Sequence, residues 1–183
     1  MDAMKSKNIS TLEHVGGQRY RESHGMFYDD FVVGDIYEHR PGRTISEVDN
    51  TWMSLLCFNT HPLHIDSVYA SQTEFGKPLV SSLITFAIIG GLSLASTSAR
   101  GVANLGWKNI RFMAPVFAGD TLYAETTVLS KRQSESRPGQ GIVTVQTRGY
   151  VHPDQLFMEC ERSFLIPLRT EARKALHETA ECQ

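Results

Sequence analysis

The sequence is short of several things, and each shortage narrows its chemistry. Only 3 of its 183 residues are cysteine, Cys57, Cys160 and Cys182. An odd count without paired spacing offers no disulfide framework and no zinc pattern, and reads as reduced thiols in a cytoplasmic setting. Basic residues are not in excess: 18 Lys and Arg stand against 20 Asp and Glu, a net charge of -2. That balance gives no footprint for nucleic acid. Long apolar runs are missing too. The longest, Leu83 to Ala95, is interrupted by Thr85, Gly90, Gly91 and Ser93, and falls short of the roughly 20 residues of a spanning helix. The N-terminus, Met1-Asp2-Ala3-Met4-Lys5-Ser6-Lys7, has no apolar core of a signal peptide. No glycine-rich phosphate loop, nucleophile elbow or metal-ligand cluster occurs. What remains is an ordinary globular composition, 41% hydrophobic and 21% charged, of a length that suits one domain.

The chemistry-bearing residues crowd into Cys57-Phe58-Asn59-Thr60-His61-Pro62-Leu63-His64-Ile65-Asp66. Proline stops the preceding helix and sets a defined loop. A loop of that kind can aim His64 into a cleft, and imidazole suits proton transfer near neutral pH. The alternative is a capped helix end with a solvated histidine.

Around that loop the pattern predicts an α+β fold. Residues 1–25 read as a mobile or loosely docked arm. A short strand covers Ile36 to His39. Ser46-x-x-Asp49 opens a helix that ends near Asn59–Pro62. Asp66 caps a short helix over Ser67 to Phe75, which makes it a cap before a catalytic acid. Leu79 to Ala95 carries no charge, so it reads as a helix buried on every face, with Gly90 and Gly91 allowing close approach to a sheet. Strands follow over Val102–Met113 (bent at Gly106), Asp120–Arg132, Ile142–Val151 and Gln155–Pro167, the last three as an antiparallel meander. A charged tail begins at Arg169. Trp107 and Phe112 read as packing residues, and Lys131, Arg132 and Arg137 as a solvated face.

This order of elements resembles the hotdog fold, an antiparallel sheet wrapped around a long central helix. Three motifs resemble its MaoC-like dehydratase branch, which includes (R)-specific enoyl-CoA hydratases. Phe58-Asn59-Thr60-His61-Pro62-Leu63-His64 stands where the family shows Gly-Asp-x-Asn-Pro-Leu-His. Phe75-Gly76-Lys77-Pro78-Leu79-Val80 is similar to its approach to the central helix, and Pro115 to Leu122 to its inter-strand turn. The likeness covers residues 27–168 and places a hotdog domain at 26–168, between the arm and the 169–183 tail. Val102-Ala103-Asn104-Leu105-Gly106-Trp107 adds a likeness to the branch that acts on mesaconyl-CoA and related branched acyl-CoAs.

The resemblance implies an acyl-CoA hydratase or dehydratase working without metal or cofactor. It gives His64 the proton-transfer role and Asn59 the place of the family's aspartate. An amide orients water but is no base. The thioester oxygen falls to backbone N–H groups at the start of the central helix, over Val80, Ser81 and Ser82. Arg43 is a candidate for a substrate carboxylate, with a plain surface arginine as the alternative. The implied partners are an acyl-CoA thioester and a second copy of the chain, joined through sheet edges and the loop after Asn59, with neither nucleic acid nor membrane. Two other readings stand beside this one: a thioesterase on the same fold, and a non-catalytic acyl-thioester binder.

Overall fold

The computed structural model describes residues 12–170 apart from Pro153. The fold is α+β, built on one five-stranded antiparallel sheet. Its strands are β3 (Ile36–Thr44), β4 (Ala103–Phe112), β5 (Thr121–Gln133), β6 (Gln140–Val151) and β7 (Gln155–Pro167), in the order β3-β5-β6-β7-β4. The meander β5-β6-β7 is its centre. Along β6, and along β5 as far as Val128, every second residue is buried, the period that turns one face of a strand to a core. Leu122, Ala124, Thr126 and Val128 form that inward row. Gly106 has φ 151° and sits at a register shift of β4, the bend its glycine implied; Asn109, at φ 53°, stands in a second one.

Four helices lie between β3 and β4: α1 (Glu47–Leu56), α2 (Pro62–Ile65), α3 (Ser67–Ser71) and α4 (Ser82–Leu94). The Ser46 hydroxyl accepts from the Asp49 N–H at 3.1 Å, and Asp49 accepts from the Ser46 N–H at 2.8 Å. This is the reciprocal capping that the Ser-x-x-Asp spacing predicts. Asp66 accepts from Val68 and Tyr69 N–H and so caps α3. The proline loop differs from expectation. Pro62 does not merely stop a helix but starts one, as the first residue of α2, where its missing N–H costs nothing.

Helix α4 packs on β3, β5 and β6, with Ile84, Thr85, Ile89 and Ser93 inward. It is not buried all round: Leu83, Ala87, Gly91 and Leu94 form an exposed stripe. The sheet covers only one side of the helix, so uniform apolarity does not mean uniform burial here. Nor do the helix glycines serve the sheet contact. A Cβ on Gly91 would meet nothing within 4 Å and one on Gly90 would meet Trp107 of β4 at an ordinary 3.7 Å, whereas one on Gly149 of β6 would lie 2.9 Å from Ile89 and Met158 side-chain carbons. The close approach is made by the sheet's glycine.

The predicted arm carries secondary structure from Leu12 onward. Leu12–His14 (β1) and Tyr20–Glu22 (β2) pair as a small antiparallel sheet. Met26 and Phe31 then enter a second core cluster with Val128, Val143, Val145, Phe164 and Ile166. The expectations for residues before Leu12 and after Thr170 lie outside the described residues. Among the described residues no helix is long and apolar enough to cross a membrane.

Candidate active site

The end of α1 sets the site. Its last turn closes with Phe58 N–H to Leu55 C=O at 3.0 Å and Asn59 N–H to Ser54 C=O at 2.8 Å. This double closure needs a left-handed residue at its turning point, usually glycine. Here that residue is Phe58, at φ 54°. The reversal brings Asn59 beside the start of α4. Its Nδ2 donates to the Ser81 hydroxyl at 3.3 Å, and its Oδ1 accepts from the His61 N–H at 3.3 Å. His61 in turn caps α2, its Nδ1 accepting from the Leu63 N–H at 3.2 Å, so it orients the loop.

His64 is half-buried, and its Nδ1 lies 2.8 Å from the Leu79 carbonyl oxygen. A carbonyl only accepts, so Nδ1 carries the proton and Nε2 keeps its lone pair in the neutral ring. The loop is held to the approach of α4 by a second bond, Leu79 N–H to Leu63 C=O at 3.1 Å.

His64 lines a cleft of about 340 Å³ whose walls include Phe75, Phe112, Met113, Val116 and Phe157. Ser82, at the N-terminus of α4, opens onto the same cleft. The three N–H groups expected for a thioester oxygen are not equivalent. Val80 N–H donates to Val116 C=O at 2.9 Å, and Ser81 N–H donates to Asn50 Oδ1 at 3.1 Å. The Ser82 N–H has no hydrogen bond among the described residues, as a helix's first turn allows. An apolar cleft with one imidazole base and one helix-terminal donor can take a chain with a polar head, remove a proton and hold developing oxyanion charge.

Arg43 stands apart from this cleft. Its guanidinium donates to Thr44 C=O and to Asp49 at 2.7 Å each, tying β3 to the cap of α1. Lys131 is no free solvated charge, since it donates to the Phe31 carbonyl at 2.6 Å. Phe112, expected only to pack, is a wall of the cleft. Trp107 packs edge-on to Phe86 with ring centroids 4.7 Å apart. Phe75, Met113 and Phe157 escaped notice because an apolar residue gives no sign of which cavity it faces. Asn50 escaped notice as well, although an amide on the inward face of α1 was a signal. Among the described residues, no group of three or more His, Cys, Asp or Glu side chains is placed to hold a metal ion.

The model of the MaoC-like domain family matches residues 30–150. The mesaconyl-CoA hydratase of Cereibacter sphaeroides is 30% identical over 151 residues, which is 82% of this chain and 44% of that protein. An (R)-specific enoyl-CoA hydratase of Aeromonas caviae is 31% identical over 107 residues, 58% of this chain and 75% of that one. A solved Mycobacterium tuberculosis protein with a double hotdog fold superposes with a TM-score of 0.73 at 26% identity, over 79% of this chain and 44% of its own. The chain spans less than half the length of the mesaconyl-CoA hydratases and the β-methylmalyl-CoA dehydratase that it matches.

Proposed function

The chain belongs to the MaoC-like dehydratase family and carries its hotdog fold, and on that premise we propose that it is a hydro-lyase acting on acyl-CoA thioesters. It adds water across the α,β bond of an enoyl thioester, or removes it from the 3-hydroxyacyl form. One observation carries the proposal: His64 lines an apolar cleft with its Nδ1–H committed to Leu79 and its Nε2 left as a base. The acyl chain occupies the cleft between Phe75, Phe112 and Phe157. Water attacks the β-carbon as Nε2 of His64 takes its proton, and the resulting imidazolium returns a proton to the α-carbon. The hydroxyl and one proton are thus added, and the ring is regenerated. The thioester oxygen gains charge between these steps and lies against the Ser82 N–H. A helix N-terminus favours that charge.

Asn59 occupies the position of the family's aspartate. It lies beside Ser81, behind the residues that line the cleft; its Oδ1 accepts from the His61 N–H, and we infer that its second lone pair holds the water. With no carboxylate lining the cleft among the described residues, His64 does the proton work alone. This supports a substrate that brings its own carboxylate, a mesaconyl-type thioester, over a simple enoyl-CoA. The exposed stripe of α4 and the matched half of a double hotdog support a second copy of the chain as partner. The free thiols of Cys57 and Cys160 suit a reducing cytoplasm.

The test is a spectroscopic screen for loss of the conjugated thioester band with crotonyl-, mesaconyl- and itaconyl-CoA. Turnover of at least one is expected, strongest with a dicarboxylic thioester. His64→Ala should lower it by about 100-fold or more, the usual reach of a general base. Near-wild-type turnover in folded His64→Ala, or coenzyme A binding with no turnover of the panel, rejects the assignment.

A further inference from the structure

Asn50 sits in the fourth position of α1, and only 3% of it is exposed. Asparagine is a poor helix former, and the side chain of this one makes no hydrogen bond within its own helix. Its amide reaches outward to three other points. Nδ2 donates to the His64 carbonyl at 2.9 Å and to the Leu79 carbonyl at 3.1 Å, and Oδ1 accepts from the Ser81 N–H at 3.1 Å. The partners fix which end of the amide is which, since two of them only accept and the third only donates.

The three contacts are the three points that decide the site's geometry. The His64 carbonyl fixes the backbone that carries the imidazole. The Leu79 carbonyl is the group that holds His64 Nδ1–H at 2.8 Å, so Asn50 orients the acceptor that sets the tautomer. The Ser81 N–H fixes where α4 begins, hence where the free Ser82 N–H points. One side chain therefore sets the distance between the base and the oxyanion donor, which come from different elements and have no direct bond to each other.

We propose that Asn50 is the positioning residue of this site: it touches no substrate, but holds the imidazole of His64 and the first N–H of α4 in register. The inference rests on the hydratase reading for its effect on rate, and on the structure alone for its effect on the ring. Catalysis depends steeply on such placement, and a displacement of about 1 Å costs about 100-fold.

Asn50→Asp is the sharp variant, because it keeps the shape and the acceptor for Ser81 but puts one oxygen in place of Nδ2, facing the two carbonyls. Asn50→Ala is the companion if the charge prevents folding. Each is measured for kcat and KM on mesaconyl- and crotonyl-CoA, and for the imidazole nitrogen shifts of His64 in 15N-histidine-labelled protein. In the wild type the shifts should show one Nδ1–H tautomer. In a folded variant they should show a mixture with Nε2–H, with kcat reduced about 100-fold and KM little changed. Wild-type kcat together with an unaltered tautomer in either folded variant overturns the proposal. So does an Nε2–H tautomer in the wild type, whatever the variants do. If the wild type turns over none of the thioesters, the hydratase reading fails, and the tautomer of the variants still decides the role of Asn50.

Discussion

Two histidines with opposite duties show how one residue type is specialised by its surroundings. His64 is half-buried, with one nitrogen bound to the Leu79 carbonyl and the other keeping its lone pair in the neutral ring. His39, on β3, is 3% exposed and has both nitrogens engaged, Nδ1 with Ser96 at 2.8 Å and Nε2 with Thr126 at 2.7 Å. Burial, and then the charges of Arg162 and Arg40, push its pKa down to about 4, with Glu125 opposing them weakly. The folded state therefore resists a proton that the unfolded chain accepts at about 6.5. Above pH 6.5 the group contributes its full stability. Between 6.5 and 4 the unfolded state gains the proton first, and stability falls as pH falls. A shift of this size amounts to about 3 kcal/mol over that window. Denaturant midpoints at pH 7 and pH 4.5 should show a wild-type loss that shrinks by about 2 kcal/mol in His39→Gln; an equal loss in both proteins would show that His39 is protonated in the native state.

Elements were legible where their signals are local. The capping box of α1, the Asp66 cap of α3, the strand boundaries of β5 and β7, and the glycine bend of β4 all follow from residues a few positions apart. The proline turn that carries Asn59 and His64 was legible for the same reason. What escaped was set by tertiary distance. No local pattern says that Arg43 turns to Asp49, that Phe112 faces the cleft, or that Asn50 spans three elements. The apolarity of α4 overstates its burial, because composition cannot say how far a sheet wraps. For the same reason composition does not show that the glycine left no room for a side chain against α4 is Gly149 of β6. Its true place makes a prediction: Gly149→Ala puts a Cβ 2.9 Å from Ile89 and Met158 carbons and should destabilise by about 1–3 kcal/mol, as overpacking does. Urea unfolding measures it. An unchanged midpoint would mean that α4 is free to lift from β6.

At the scale of the whole molecule, the unsatisfied feature is apolar surface. Leu83 and Leu94 on the open stripe of α4, and Leu105, Ile110 and Phe112 on the edge strand β4, are each exposed by two-fifths or more. Phe58 is 86% exposed, although it holds a left-handed backbone that costs a bulky residue about 1–2 kcal/mol relative to glycine. Apolar surface on this scale in a natural protein marks a contact. The proposed occupant is a second copy, because two-fold pairing is the commonest closed assembly and because one chain matches only half of a double hotdog. Sedimentation at low micromolar concentration should give at least a dimer. Leu83→Lys places a charge on the α4 stripe without touching His64, Asn50 or the core, and should yield monomer with wild-type circular dichroism. Turnover should fall with the dimer fraction, because Ser82 and Phe112 lie beside the surface to be covered. A wild-type monomer with full turnover would dismiss the second copy and leave the cleft complete in one chain.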